Sequence, residues 1–293
     1  MLTLIIGLII FQNHVKAQGL ESLLDSEMPE LPQPVFATFK SSRIINLKTP
    51  ERVAPGNLEF RISHRFGPVN GGAYQLWGLD QSTIRIGLDY GVTDRLMVGF
   101  GRSSLQKNYD GYFKYAITQQ KTLGEMPVSI VAFSSIAVNT LEWSDPSRDN
   151  HIRSRLAYVN QLIIARKFNG RLSLELVPSW VHFNLVSSTA DQNDIPVLGI
   201  GGRYKIGKRV SIDAEYGYRY QYKSNASNLN LYQDTFSVGI GIETGGHVFQ
   251  FQLTNSLSMI EKGFLTETID SWRNGGIHLG FNITREFVLN KKN

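Results

Sequence analysis

The most constraining feature of this chain is a two-residue alternation of apolar and polar side chains, which runs through twelve segments between residues 58 and 285. In the first segment Leu58, Phe60 and Ile62 share one face, while Glu59 and Arg61 share the other, because successive side chains of a strand point to opposite sides. The pattern recurs in residues 82–92, 210–220, 235–243, 247–254 and 276–284. Helical periodicity is not sustained anywhere, so the sequence predicts an all-β chain.

The face that points inward separates a membrane barrel from a soluble one. The polar faces carry charges at mid-strand together with glycines such as Gly87 and Gly199, which suits a crowded polar interior. Aromatic residues gather near strand ends, as in interfacial girdles, and twelve strands are too many for small soluble barrels that fill their own interior. We predict a single transmembrane antiparallel up-and-down β-barrel over residues 58–293. The alternative is a soluble sandwich or barrel.

The first residues are typical of an export signal. Residues 2–11 form an apolar run that is too short to span a bilayer, since a spanning helix needs roughly 20 apolar residues. Val15 and Ala17 follow at the spacing of a cleavage site. We predict a signal peptide over residues 1–17. No Lys or Arg precedes the run, so a buried N-terminal strand is the alternative.

An extended N-terminal segment over residues 18–57 is expected next. Residues 18–34 are acidic and contain Pro29, Pro32 and Pro34, which block both helix and ladder pairing and predict a periplasmic position. Residues 35–49 are β-prone and could plug the lumen, cross the periplasmic mouth or add a strand. The first two are favoured, because a thirteenth strand would break the even count.

Connector length predicts the orientation of the barrel. Short joints fall near residues 93–94, 121–126, 169–170, 207–208 and 244–246. Long links fall at residues 68–81, 140–151, 187–194, 222–233 and 257–273, and only the joint at 106–110 is short where a long one is expected. Outer-membrane barrels have short periplasmic turns and longer extracellular loops. Both termini of a twelve-stranded barrel are therefore periplasmic.

One segment changes its alternation. Between residues 171 and 186 the apolar face moves from Leu172 and Leu174 to Val181 and Phe183. Pro178 stands at the change, and proline cannot donate a ladder hydrogen bond. We interpret the change as a β-bulge.

Three stretches resemble a known family: residues 39–72, 88–103 and 280–287. The chain is similar to an outer-membrane β-barrel family of unknown function that is typical of Bacteroidota-type gram-negative bacteria, over most of residues 36–287. The shared motifs belong to the scaffold. The resemblance therefore implies a fold and an outer-membrane location, and it brings no catalytic residues and no substrate.

The sequence offers no chemistry for an enzyme. Twelve-stranded outer-membrane phospholipases use a Ser and a His two residues apart on one strand face; no His-x-Ser pair exists here, and Ser63 and His64 are adjacent. The six histidines lack metal-site spacing. Residues 199–208 are glycine-rich but lead into a strand, without a helix to bind phosphate. The charge of +5 comes with no nucleic-acid-binding motif. We expect no catalysis, cofactor, metal or nucleic acid.

The candidate functional residues are charged side chains that are predicted to face the lumen. By alternation they are Arg61, Arg65, Arg85, Asp89, Lys114, Arg153, Arg155, Glu175, Arg203, Asp213, Glu215 and Arg219, together with Glu59. Cations outnumber anions by eight to five. Because rings of charge bias passage, the hypothesis is a narrow, weakly anion-selective pore or uptake channel for small solutes. Alternatively, these charges pair into salt bridges that brace a closed interior.

A second class of function is a non-conducting barrel, embedded in outer-membrane lipid, that docks periplasmic or cell-surface proteins. The contact would be residues 18–57 or the loop 256–272, where Phe264, Leu265, Ile269 and Trp272 are unusually apolar for a connector. This loop could fold over the mouth as a lid, form a binding patch or pack on the rim as a short helix.

Overall fold

The computed structural model describes residues 31–221 and 231–289. The predicted signal peptide and the first part of the acidic stretch, up to residue 30, lie outside the described residues. Twelve strands follow in chain order: Asn57–Pro68 (β1), Ser82–Gly91 (β2), Leu96–Ser103 (β3), Tyr109–Thr118 (β4), Ser129–Val138 (β5), Leu156–Lys167 (β6), Leu172–Phe183 (β7), Asp194–Lys205 (β8), Val210–Arg219 (β9), Thr235–Glu243 (β10), His247–Thr254 (β11) and His278–Val288 (β12).

The strands form one closed barrel in which each strand pairs with its neighbours in sequence. The first and last strands close the wall, with Ile62 of β1 opposite Ile283 of β12 in an antiparallel register. Closure leaves no sheet edge with unpaired backbone groups, and a bilayer offers no water to satisfy such groups. The prediction of a twelve-stranded antiparallel up-and-down barrel is confirmed.

Side chains alternate across the barrel wall as the sequence indicates. On β2 the outward side chains of Ile86 and Leu88 are 46% and 45% exposed, whereas the inward side chains of Arg85 and Asp89 are each 2% exposed. Apolar residues therefore cover the outer surface and charged residues fill the interior. This is the arrangement of a membrane barrel, in which lipid covers the outward side chains.

Connector lengths divide the barrel into two different ends. Short turns at residues 92–95, 168–171, 206–209 and 244–246 lie at one end, with the start of β1 and the end of β12. The strand ends that are joined by the long connectors, between β5 and β6, β9 and β10, and β11 and β12, lie at the other end. The end with the short turns is periplasmic by the general rule for such barrels.

In the part of the chain that the structure describes, helices are short and lie in the connectors. One α-helix, α1, spans Glu261–Thr266 between β11 and β12. Single 3-10 turns lie at Val69–Gly71, Ala73–Gly78, Leu105–Lys107, Thr122–Gly124, Ile152–Arg155 and Trp272–Asn274. In the described ranges, no helix is both long enough and apolar enough to cross a membrane.

The predicted β-bulge at Pro178 is wrong. β7 pairs with β8 in one continuous register, from Leu172 opposite Tyr204 to His182 opposite Asp194, and buried and less buried residues alternate along the whole strand. The strand does not shift. Apolar residues appear on the inward face after Pro178 because the lumen near its extracellular end is itself apolar. Inward positions there carry aliphatic side chains.

Candidate functional site

Residues 38–53, which we call the luminal segment, lie inside the barrel. Every residue from Ser41 to Pro50 is buried, and Ile44 and Asn46 are 2% and 1% exposed. The two arms of the segment meet at a bridge between Arg43 and Lys48 and add no strand to the wall. The barrel therefore encloses a hairpin-like piece of its own chain.

A tight turn at the tip of the luminal segment holds one carboxylate of the wall. The Ile44 N–H donates to the Leu47 carbonyl at 2.9 Å. The N–H groups of Ile45, Asn46 and Leu47 then donate to the Glu215 carboxylate of β9 at 3.2, 2.9 and 2.9 Å, and the Asn46 side chain donates to it at 2.8 Å. Hydrogen bonds to an ionised group are about twice as strong as neutral ones. Glu215 is therefore the main polar anchor of the tip.

Cationic side chains on the opposite side of the lumen hold the arms of the luminal segment. Lys114 of β4 donates to the carbonyl of Thr49 at 3.1 Å and to the carbonyl of Glu51. Arg61 of β1 donates to the hydroxyl of Ser42 at 2.7 Å. The segment thus lies between an anionic anchor on β9 and cationic anchors on β1 and β4.

Two inward glycines of β8 give the luminal segment its space. A Cβ atom at Gly199 would lie 3.0 Å from Cδ2 of Leu47, and one at Gly201 would lie 2.4 Å from Cδ1 of Ile44. Real Cβ atoms essentially never approach a carbon as closely as the second distance. A larger residue at position 201 would therefore require the end of the Ile44 side chain to move.

The connector between β11 and β12 enters the lumen from the extracellular end. All six residues of α1 are buried. The Glu261 carboxylate lies 2.7 Å from Nη2 of Arg43 and 4.0 Å from Nζ of Lys48, and all three side chains are no more than 3% exposed. The helix lies inside the barrel rather than on its rim, and it meets the luminal segment through buried ion pairs.

An apolar cluster surrounds this meeting point. Phe264 and Leu265 of α1 pack with Leu47 of the luminal segment. The wall contributes inward aliphatic side chains from β6, β7 and β8: Val159, Val181, Ile195 and Val197. Removing these side chains from water stabilises the joint position of the helix and the segment.

Burial shifts the pKa of two titratable groups in the luminal segment. Burial lowers the pKa of Lys48 well below its usual range and nearby Arg43 lowers it further, while Asp89 and Glu261 act in the opposite direction. Burial also raises the pKa of Glu51. Both directions follow from the penalty for holding a charge away from water.

Buried ion pairs also link the strands of the wall. Arg85 of β2 and Asp110 of β4, each 2% exposed, form a two-point pair with N···O distances of 2.9 and 2.5 Å. Further wall pairs join Arg61 to Glu59 and Arg203 to both Asp213 and Glu243. These contacts match the alternative in which lumen charges brace a closed interior.

Ten of the twelve candidate lumen residues lie on strands and are no more than 9% exposed: Arg61, Arg65, Arg85, Asp89, Lys114, Glu175, Arg203, Asp213, Glu215 and Arg219. The barrel brings them together around the luminal segment. Their part in solute passage stays a prediction.

The prediction that Arg153 and Arg155 face the lumen from a strand is wrong. They belong to the 3-10 turn Ile152–Arg155, which precedes β6 in an extracellular connector, and Arg153 is exposed. The Arg155 guanidinium lies 3.4 Å from the centre of the Trp143 ring and donates to the carbonyl of Glu142 at 3.1 Å. Contacts within the connector hold these arginines, so alternation does not define a face for them.

Sequence reasoning missed several charged groups of the lumen, among them Asp110, Arg43, Lys48 and Glu261. Asp110 faces inward on β4, like Lys114 four residues later, and extending the alternation of that strand backwards would have found it. Arg43, Lys48 and Glu261 lie outside the wall strands. No local pattern in the sequence assigns those three to the lumen.

Two cavities lie at opposite ends of the barrel. A periplasmic cavity of about 510 Å³ is lined by both arms of the luminal segment, including Thr38 and Glu51. An extracellular cavity of about 100 Å³ is lined by Phe183, Arg219 and Thr266. The luminal segment and α1 lie between them. Within residues 31–221 and 231–289, no group of three or more His, Asp or Glu residues is placed to hold a metal ion.

A family model described as a membrane bound beta barrel domain (DUF5777) matches residues 39–287. The chain belongs to this family. The match begins in the luminal segment and ends in β12, so it includes both parts of the site. The expected resemblance is confirmed, and the bacterial group stays a prediction. No curated protein matches the chain.

A solved outer-membrane porin shares the fold, and other outer-membrane barrels resemble it more weakly. The NanC porin is 8% identical, with a TM-score of 0.50 over 78% of this chain and 98% of the porin. The KdgM porin is 10% identical, with a TM-score of 0.47 over 79% and 99%. Outer membrane phospholipase A from Escherichia coli is 15% identical, with a TM-score of 0.42 over 83% and 97%. Such low identities indicate the fold alone. This family member is an outer-membrane β-barrel similar to porins.

Proposed function

We propose that this outer-membrane barrel is a channel for small polar solutes and that the luminal segment closes it at rest. The observation that carries the proposal is the polar attachment of the segment, through Glu215 at the tip and Lys114 at one arm. Both groups can exchange these hydrogen bonds for bonds to water, so releasing each contact costs a net of about 1.5 to 3 kcal/mol rather than the full strength of the bond. The periplasmic cavity of about 510 Å³ lies where the segment would move.

A disulfide that fixes the luminal segment tests the proposal. The chain has no cysteine, so Leu47→Cys combined with Gly199→Cys introduces a single pair. A Cβ atom at position 199 would lie 3.0 and 3.3 Å from the two methyl carbons of Leu47, so the two side-chain positions are in direct contact, and formation of the disulfide is checked by the loss of free thiols before recording. In planar bilayers we expect the oxidised protein to stay closed, and reduction to raise the open probability by about tenfold or more.

Each single-cysteine variant serves as the control, since neither can form the bond within one chain. Openings that persist in the fully oxidised double variant would contradict closure by the luminal segment. A complete lack of current from the reduced variants and from the parent protein would contradict the channel itself.

The charge balance of the wall predicts weak selectivity. The buried charges on the described strands comprise six cations and six anions: Arg61, Arg65, Arg85, Lys114, Arg203 and Arg219, with Glu59, Asp89, Asp110, Glu175, Asp213 and Glu215. The expected excess of eight cations over five anions, on which the hypothesis of anion passage rested, is therefore absent from the described strands. We expect the reversal potential of the open state to lie near zero in asymmetric KCl. A reversal potential close to that of chloride would restore the anion-selective hypothesis.

The docking alternative loses the connector surface that was expected to carry it, whereas Leu31 and Phe36 of the N-terminal segment stay 69% and 70% exposed. Phe264 and Leu265 are 1% and 2% exposed inside the barrel, and the luminal segment is buried with them. Ile269 is 59% exposed, but one exposed aliphatic side chain is far smaller than a stable protein interface. The geometry therefore favours the channel over the docking barrel.

A further inference from the structure

We infer that Glu261 couples the two ends of the lumen, so that the extracellular connector controls the position of the luminal segment. The inference rests on the proposed channel and adds its regulation: a molecule that binds outside and withdraws α1 would release the segment toward the periplasm. Three observations carry it: the ion pairs of Glu261, the shared apolar cluster, and the short length of α1.

The ion pairs make the luminal segment dependent on α1. Glu261 lies within 4.0 Å of both Arg43 and Lys48, and no other carboxylate in the described part of the chain lies within that distance of either. Both cationic side chains are no more than 3% exposed. Removing one partner of a buried pair leaves an uncompensated charge and is strongly destabilising. Withdrawal of α1 therefore makes the buried position of the segment unfavourable.

The dependence also works in the other direction. If the luminal segment leaves, Glu261 is buried without either cation, and Phe264 and Leu265 lose their packing against Leu47. A coupling free energy between two sites is the same from either side. The extracellular and periplasmic ends of the lumen are therefore expected to open and close together.

The extracellular connector is the part that can receive a signal. α1 has only six residues, which is too short for a helix to be stable without tertiary contacts. Lys262 ties it to the connector between β3 and β4 through Gln106 at 3.0 Å. Other residues of the connector between β11 and β12, including Ile269 and Arg273, are exposed at the extracellular end. A ligand bound there has direct access to the position of α1.

Thiol labelling of the luminal segment tests the coupling. Ile44→Cys places the only thiol of the chain on a side chain that is 2% exposed. In proteoliposomes with a membrane-impermeant maleimide, we expect Glu261→Gln to raise the labelling rate of this thiol about tenfold or more, since an equilibrium shift of that size needs only about 1.4 kcal/mol.

The matched control is Glu267→Gln. Glu267 belongs to the same connector and pairs with Lys262 at 2.9 Å, without an ion pair to the luminal segment. It should leave the labelling rate within about twofold of the parent rate, a difference of less than 1 kcal/mol. Equal acceleration by both variants, or no acceleration by Glu261→Gln, would overturn the coupling.

A reciprocal variant tests the coupling even if Glu261→Gln does not fold. Arg43→Met should expose a thiol placed by Thr266→Cys on α1, which is 1% exposed in the parent. An unchanged labelling rate there contradicts the reciprocity. Labelling does not require current, so the two proposals fail separately: faster labelling without current overturns the channel, and current without faster labelling overturns the coupling.

Discussion

Glu215→Gln is expected to release the luminal segment. The carboxylate accepts hydrogen bonds from the N–H groups of Ile45, Asn46 and Leu47. A glutamine removes the charge and turns an NH2 group toward those donors. Loss of charged hydrogen bonds of 1.5 to 3 kcal/mol each predicts a net loss of about 3 kcal/mol, or roughly a 100-fold increase in the open state. The measurements are the open probability and the labelling rate of Ile44→Cys.

Asp213→Asn is the matched control for this prediction. Asp213 lies two residues earlier on the same inward face of β9, and its ion pair, at 3.9 Å, is with Arg203 of the wall. We expect this variant to keep the luminal segment in place, so that its labelling rate stays within about threefold of the parent rate. Equal opening of both variants would mean that general weakening of β9, rather than loss of the tip anchor, releases the segment.

Asp110→Ala should cause the largest loss of barrel stability among the lumen substitutions considered. It leaves the Arg85 guanidinium, which is 2% exposed, without the carboxylate that binds it at two points. Breaking a buried pair by removing one partner costs about 3 to 5 kcal/mol. Equilibrium unfolding by urea in lipid vesicles would measure this change in the free energy of unfolding.

The double variant Arg85→Met with Asp110→Leu provides the comparison. Replacing both members of a buried pair with apolar residues is often neutral or stabilising. The free energy of unfolding of the double variant should therefore exceed that of Asp110→Ala by about 2 kcal/mol or more. If Asp110→Ala alone lowers the free energy of unfolding by less than about 1 kcal/mol, the pair does not brace the wall.

The barrel was predictable because its information is local. A single strand such as β2 carries the whole rule, since Ile86 faces lipid and Arg85 faces the lumen, and a shift of one residue would reverse both. Short turns and long connectors then gave the orientation. The same local rule failed at Arg153 and Arg155, where alternation continues in the sequence but the chain forms a 3-10 turn instead of a strand.

The contents of the lumen were not predictable from local patterns. Pro178 indicated a bulge, because alternation alone cannot distinguish a shifted strand from a lumen that turns apolar near Val181. Residues 35–49 left three alternatives open, because their partners are distant in sequence. Glu215 and Leu47 are 168 positions apart, and only the folded barrel brings such groups together.

That separation has a consequence for biogenesis. Asn46 is synthesised long before Glu215, its partner 169 positions later, and contacts between distant positions form late because closing a long loop costs entropy first. The hairpin therefore cannot dock until β9 has joined the growing sheet. We therefore expect the interior of a newly assembled barrel to fill only after this part of the wall is in place.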